Sequence, residues 1–573
     1  MESLWIDKQE ERGVRIGDWG KAKCKMEDRR YTSSPDRRSK RSSSLASYRN
    51  AETEILTSKT NTVPKGAQNE FRLQEAALKN DVEQTKKVLE SKVDLNAKGY
   101  LDRTPVHWAA SKGHIEILSL LLQAKCDIEV VDMYGMTPLL MAVWFGYKEA
   151  VQLLVKAGAN CRAVNRQGQS VLHCAAQNNQ EEIVSFLLEN SESLELNAVD
   201  KNGMSAVHMS VLNNCMPIVE ILIQAGAEIS IKDKSGRSPV HSAAMKGHRL
   251  VLVRLLRVGV EIDDPDEEGK TALHLAAEND HHEAVVTLLE HNCDLEAQDT
   301  KLRTALHIAA SLGYCDIVET LIEHGAYLGI TEKYGNTPLH LAVEGNHPKM
   351  VKILMKKGIA VNSLNNRQQT ALHLAAELGY FEVVEVLLAC GADLSVPEKG
   401  NRKALYIAAR GSYTAIVDML IKVERDQNKK PILDNSDMPD RQCSTERIRE
   451  MEQQAEAQQK SMKELLWILA KSYLEPQDWK KLARYWEFTE EHIKAIEHQY
   501  TGKSSYKEHG YRMLLIWLQG VPSCRHPLKE LYEALTAINK RDIAEKIRRK
   551  AEEQPSQRRS CRANRFCAFC SLM

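Results

Sequence analysis

The sequence predicts an all-α protein: a solenoid of stacked helix pairs over residues 69–423, then a polar linker and a six-helix bundle over 462–552. A short phrase, cleanest as Thr337-Pro338-Leu339-His340-Leu341-Ala342, recurs from Thr104, Thr137, Ser170, Ser205, Ser238, Thr271, Thr304, Thr370 and, decayed, Lys403. Its starts lie 33 residues apart, except for one 35-residue step between Ser170 and Ser205. Self-similarity of that period marks a stacked array. Beyond 462 the apolar spacing changes to six short amphipathic segments, enough for a compact bundle.

Bulk properties bound the function. A chain of 573 residues is too long for one core and suits an array or several domains. Lys plus Arg and Asp plus Glu balance at 78 each, so no whole-chain field recruits nucleic acid. The start lacks the apolar core of a secretory signal. No run reaches the roughly 18 apolar residues of a membrane span. Thirteen scattered cysteines lack the spacing of a secreted disulfide scaffold and read as reduced thiols, which places the chain in the cytoplasm.

Taken in order, residues 1–68 carry much Ser, Arg and Lys and little periodicity, the composition of a disordered basic tail. Within it Arg37-Arg38-Ser39-Lys40-Arg41-Ser42-Ser43 fits a solvated tail, a nuclear-import signal or a kinase substrate. Phe71, Leu73, Ala76, Ala77, Val88 and Leu89 form a degenerate first unit, as an end cap should. In the following units Thr or Ser caps the first helix, and Pro, where present, takes the first helical position. Loss of one cap to Ala is expected to cost about 1 kcal/mol. Small pairs such as Ala109-Ala110 and Ala309-Ala310 let neighbouring helices approach. A Gly-His or similar turn leads to a second helix with spacing such as Ile317, Val318, Leu321 and Ile322. Gly158, Gly226, Gly325, Gly358 and Gly391 sit where a helix ends in a left-handed residue.

The segments around Thr104-Pro105, Thr271 to Ala277, Thr337 to Ala342 and Thr370 to Ala376 resemble ankyrin repeats over about 69–423, eleven units with both ends degenerate. The resemblance implies helix-turn-helix pairs joined by hairpin-like loops, with a concave face that binds protein clients. One histidine per unit (His107, His173, His208, His241, His274, His307, His340, His373) sits at a structural position without the clustered spacing of a metal site, so no metal and no cofactor is expected. Leu140 and Tyr406 replace that histidine, and Ser210-Val211 replaces the small pair, so units three, five and eleven should pack less typically.

In ankyrin-like units the loop tip and the end of the first helix face the concave surface. These positions are mostly polar here. Unit three instead carries Met133, Tyr134, Met136, Trp144 and Phe145, and the preceding loop adds Tyr100 and Leu101. Exposed together, these residues would form an interface hot spot. The alternative is that some fold back under the neighbouring loop.

Residues 424–461 are polar, include Pro431 and Pro439, and read as a linker passing into a helix. In the next segment, Asp478-Trp479-Lys480-Lys481-Leu482-Ala483, Ile493-Lys494-Ala495-Ile496-Glu497, Met513-Leu514-Leu515-Ile516-Trp517 and Arg541 to Ile547 resemble a death domain. Trp479 and Trp517 would be core. The resemblance implies no chemistry, and assembly with death-fold partners through surface patches that include Glu490, Glu491, Lys494, Lys529 or Arg541. Ser523 to Pro527 depart from the usual start of the fifth helix. Residues 553–573 form a basic, Cys-containing tail. Its Cys570-Ser571-Leu572-Met573 end has the shape of a prenylation signal, and the membrane is a partner only if Cys570 is lipidated.

No phosphate-cradling loop, His-Glu-x-x-His or Gly-x-Ser-x-Gly occurs. The combination resembles an ankyrin repeat and death domain-containing protein and implies a non-enzymatic cytoplasmic adaptor in signal transduction. Two alternatives stand beside it: a membrane-skeleton or membrane-associated scaffold, and a substrate or regulator of a separate enzyme. Asparaginyl hydroxylases act on loop asparagines of some ankyrin repeats, and Asn96 and Asn362 occupy suitable positions.

Overall fold

The computed structural model describes residues 68–191, 193–428, 459–498, 505–521 and 526–553. Most of the expected basic tail, most of the linker and the whole C-terminal tail lie outside the described residues, including the Arg37–Ser43 phrase and Cys570. Among the described residues the regular structure is helical, with a single isolated bridge between Val199 and Ser205. The chain divides into two compact bodies at Leu194 and Glu195, inside the 35-residue step of the repeat.

The amino-terminal body contains four helix pairs, from Gln68–Lys79 with Val82–Leu89 to Val171–Gln177 with Glu181–Asn190. The carboxy-terminal body contains seven more, from Ala206–Leu212 with Met216–Gln224 to Ala404–Arg410 with Thr414–Asn428. Within each body the first helices pack side by side, and the small pairs explain why: Ala109, Ala110, Ala309 and Ala310 are all fully buried. The second helices contribute the apolar stripe predicted by their spacing, with Ile317 and Val318 at 0% exposure and Leu321 at 1%.

The recurring histidine is a staple between units. The Thr337 backbone N–H donates to Nδ1 of His340 at 3.2 Å, which makes Nδ1 an acceptor and leaves the proton on Nε2. Nε2 then donates to the Gln369 carbonyl, 29 residues on, at 3.0 Å. His107 repeats this with Thr104 and the Met136 carbonyl, and His274 with Thr271 and the Arg303 carbonyl. A second set runs backwards from the inter-helix turn: His281 and His347 donate to the Met245 and Ser311 carbonyls, 36 residues earlier, at 3.0 and 3.1 Å. Within each body the hairpin tips add one backbone bond per step, such as Lys234 N–H to the Asn202 carbonyl at 2.8 Å and Glu267 N–H to the Ser235 carbonyl at 3.0 Å.

The three departures behave differently from one another. Leu140 is fully buried, so unit three fills the histidine site with hydrocarbon and forgoes the staple. Ser210 and Val211 are also at 0% exposure, with the Ser210 hydroxyl donating to the Val207 carbonyl at 2.8 Å. Units three and five thus depart from the common pattern without opening their cores: unit three lacks the staple, and in unit five the buried hydroxyl is hydrogen-bonded and so costs little. In unit eleven Tyr406 is 52% exposed and Lys403 supplies no side-chain cap.

The bundle comprises 459–468 with a π turn at Leu469–Tyr473, then Asp478–Tyr485, Glu490–His498, Ser505–Gln519, Pro527–Ala537 and Arg541–Glu553. Trp479 and Trp517 are 1% and 2% exposed. Trp486 stacks on Trp517 with ring centroids 4.2 Å apart. The fifth helix starts at Pro527 behind His526, which is where a missing N–H costs nothing.

Candidate functional site

The aromatic phrase of unit three is held by a carboxylate. Asp132 is 2% exposed. Its Oδ1 accepts the Tyr134 and Met136 backbone N–H groups at 2.8 and 2.9 Å, closing the tip of the hairpin. Its Oδ2 accepts from Arg103 Nε at 3.3 Å, and the Arg103 guanidinium lies 4.9 Å over the Trp108 ring. The tip cannot drift, since Met133 N–H donates to the Leu101 carbonyl and Arg166 N–H to the Tyr134 carbonyl, both at 2.9 Å. Gly135 has a φ of +74°, and a Cβ there would lie 2.8 Å from the Arg166 backbone nitrogen. A side chain at this position would break both turn and ladder.

On this base Met133 and Tyr134 stand out at 37% and 45% exposure. Val131 and Val164, which the sequence reading passed over, are exposed at 43% and 51% on the same hairpin and the next one. Trp144 and Phe145 end the helix Pro138–Phe145 ahead of left-handed Gly146, and both are half-buried. Tyr100 and Leu101 sit half-buried in a short turn, with Leu101 at a φ of +61°. Met136 does not belong with them. Its side chain is 9% exposed, and its sulfur accepts from Asn165 Nδ2 at 3.7 Å. Its carbonyl is already the acceptor for His107. Met136 thus corrects the expected patch: the alternation of the hairpin turns Met133 and Tyr134 outward and Met136 in.

The two loop asparagines are exposed and fixed. The side-chain carbonyl of Asn96 accepts the Asp127 N–H, and that of Asn362 accepts the Asp393 N–H, each at 2.9 Å. Asn197 makes the same bond to Glu228 N–H, and its equivalent loop position could have been read from the sequence.

The recurring histidines are buried and largely neutral. Burial pushes His107 and His307 down to about 4, and lowers His241, His274, His340 and His373 as well. In His241 and His274 the Nδ1 atom serves the cap and Nε2 the staple. Among the described residues no group of three or more His, Cys, Asp or Glu could hold a metal ion. No helix there is long and apolar enough to cross a membrane.

On the bundle, Glu490 pairs with Arg484 at 2.7 Å and Arg541 lies 3.9 Å from Glu545. Lys494 and Lys529 are exposed. Glu491 is engaged by Lys403 of the array at 2.7 Å.

Comparison with known proteins accounts for both parts. The family model described as ankyrin repeats (3 copies) matches residues 73–165, 158–233, 217–299, 240–332, 306–398 and 362–434. The model described as death domain matches residues 462–551. Among solved structures, the chain is similar to the ankyrin repeat domain of Bcl-3, described as a unique member of the IkappaB protein family. That match has 30% identity and a TM-score of 0.36, and covers 38% of this chain and 99% of that one.

Proposed function

Because the chain belongs to the ankyrin-repeat family and carries a death domain after its repeats, we propose that it is a non-enzymatic adaptor in signal transduction. Both parts are protein-interaction modules. In this reading the array captures a client through Met133, Tyr134, Trp144 and Phe145, and the bundle recruits death-fold partners. Holding both clients on one chain raises their effective concentration for each other. The observation that carries the reading is the outward-facing Met133-Tyr134 tip on a rigid carboxylate base: aromatic side chains presented with little entropy left to lose make efficient anchors. The chain acts in the cytoplasm.

Affinity capture with the full chain tests this. Tyr134→Lys and Trp144→Lys together should remove array clients at least tenfold while sparing bundle clients. Unchanged recovery of every protein would exclude the patch as the capture site.

A second reading is favoured by the exposure of Asn96 and Asn362, namely that these loops are substrates of an asparaginyl hydroxylase. Peptides spanning them should gain one oxygen atom when the chain is incubated with such an enzyme. Peptides of unchanged mass would rule it out.

A further inference from the structure

The last unit of the array does not end in water. Its helices Ala404–Arg410 and Thr414–Asn428 lie against bundle helices Glu490–His498 and Ser505–Gln519. Lys403 Nζ meets Glu491 Oε2 at 2.7 Å. His492 Nε2 donates to Glu424 Oε2 at 2.8 Å, its Nδ1 being taken by the Thr489 N–H. The Arg425 guanidinium lies 3.9 Å over the Phe488 ring and donates to the Trp486 carbonyl at 3.2 Å. Arg512 donates to the Thr414 carbonyl at 3.1 Å and pairs with the Asp418 carboxylate.

These contacts come from both helices of the last unit, and on the bundle from the loop after Tyr485 and from two helices. The side chains of His492 and Arg512 are only 1% and 8% exposed. The contact therefore covers one face of the bundle and also supplies the polar ending that a terminal repeat needs. Its polar, charge-assisted character is that of an inter-domain interface that opens and closes, since water can replace each partner. The tether between Asn428 and the bundle keeps the local concentration high enough for such an interface to stay shut.

We infer that the bundle is masked by its own array. The last unit occupies the face built on Glu490–His498 and Ser505–Gln519, and another bundle gains that face only after Lys403, Asp418, Glu424 and Arg425 release it. The docking stands on the contacts alone, whereas its consequence for recruitment rests on the reading that the bundle binds death-fold partners.

The test uses the full chain, with a second copy of itself as the probe. Lys403→Glu/Arg425→Glu alters only the array side, at partly exposed positions. It should raise hydrogen exchange over 404–410 and 490–498 at least tenfold, and shift the chain from monomer towards self-association in sedimentation. Glu491→Lys should do the same, and Lys403→Glu combined with Glu491→Lys should restore both readouts. Exchange unchanged in both opening variants would overturn the docking. Faster exchange with no self-association would overturn the masking and leave the docking in place, while recruitment by the bundle is judged separately from capture of its clients.

Discussion

Tyr134 and Met136 lie two residues apart on one turn and serve opposite ends. Tyr134 is exposed over a base fixed by Asp132, whereas Met136 is packed beneath it. Tyr134→Lys should therefore leave thermal stability within about 0.5 kcal/mol of the parent. Met136→Lys should cost about 3 kcal/mol or more, because it buries an unpaired charge. Differential scanning of the two variants checks the contrast. The composition of the patch was legible in the sequence, since an aromatic at a tip position that is polar elsewhere stands out. Its membership was not, because which of Met133 and Met136 points outward depends on the turn that the Asp132 carboxylate closes, and a tip rule without that turn assigns both to the surface.

At the scale of the repeated element, the histidine staple ties stability to pH. An unfolded histidine takes up its proton near 6.5, whereas buried His107 and His307 do so only at about 4. Between those values the unfolded chain binds more protons than the folded one, so stability is whole above 6.5 and drains away as the pH falls towards 4. Each unit of depression is worth about 1.4 kcal/mol. The midpoint of urea unfolding should accordingly drop between pH 7 and pH 5, and substitution of His107 and His307 by Leu, as unit three does naturally with Leu140, should flatten that dependence even though the His107 change also removes its bond to the Met136 carbonyl. The helix pairs were legible because caps, small pairs and left-handed glycines are properties of residue types at fixed offsets. The staple was not: the sequence shows one histidine per unit, but its second partner is a backbone carbonyl, and every residue offers one.

For the molecule as a whole, the contact between the last unit and the bundle was the part that sequence reasoning missed. Lys403 to Glu491 and Asp418 to Arg512 span 88 and 94 residues, and nothing in local periodicity pairs residues at that distance. Reading 424 onward as linker also cut the last helix at 423, whereas it continues to Asn428 and carries Glu424 and Arg425 into the interface. Because Arg512 and Asp418 meet in this contact, Asp418→Ala and Arg512→Ala should each destabilise the chain by about 1–3 kcal/mol, and the double variant by clearly less than their sum. Strict additivity in denaturant titrations would mean that the two side chains do not act on each other.

The staples also set a unit of length for change. Forward bonds reach 29 residues ahead and backward bonds 36 behind, both fixed by a 33-residue period. Excising 271–303 joins Lys270 directly to Thr304, and His241 keeps its acceptor, the Lys270 carbonyl. A chain shortened by that block should still unfold cooperatively, with a lower midpoint, whereas excision of 30 residues from the same place puts every later cap out of phase. A chain of this kind therefore keeps its staples when it gains or loses whole 33-residue blocks, and its one 35-residue step lies at the boundary between the two compact bodies.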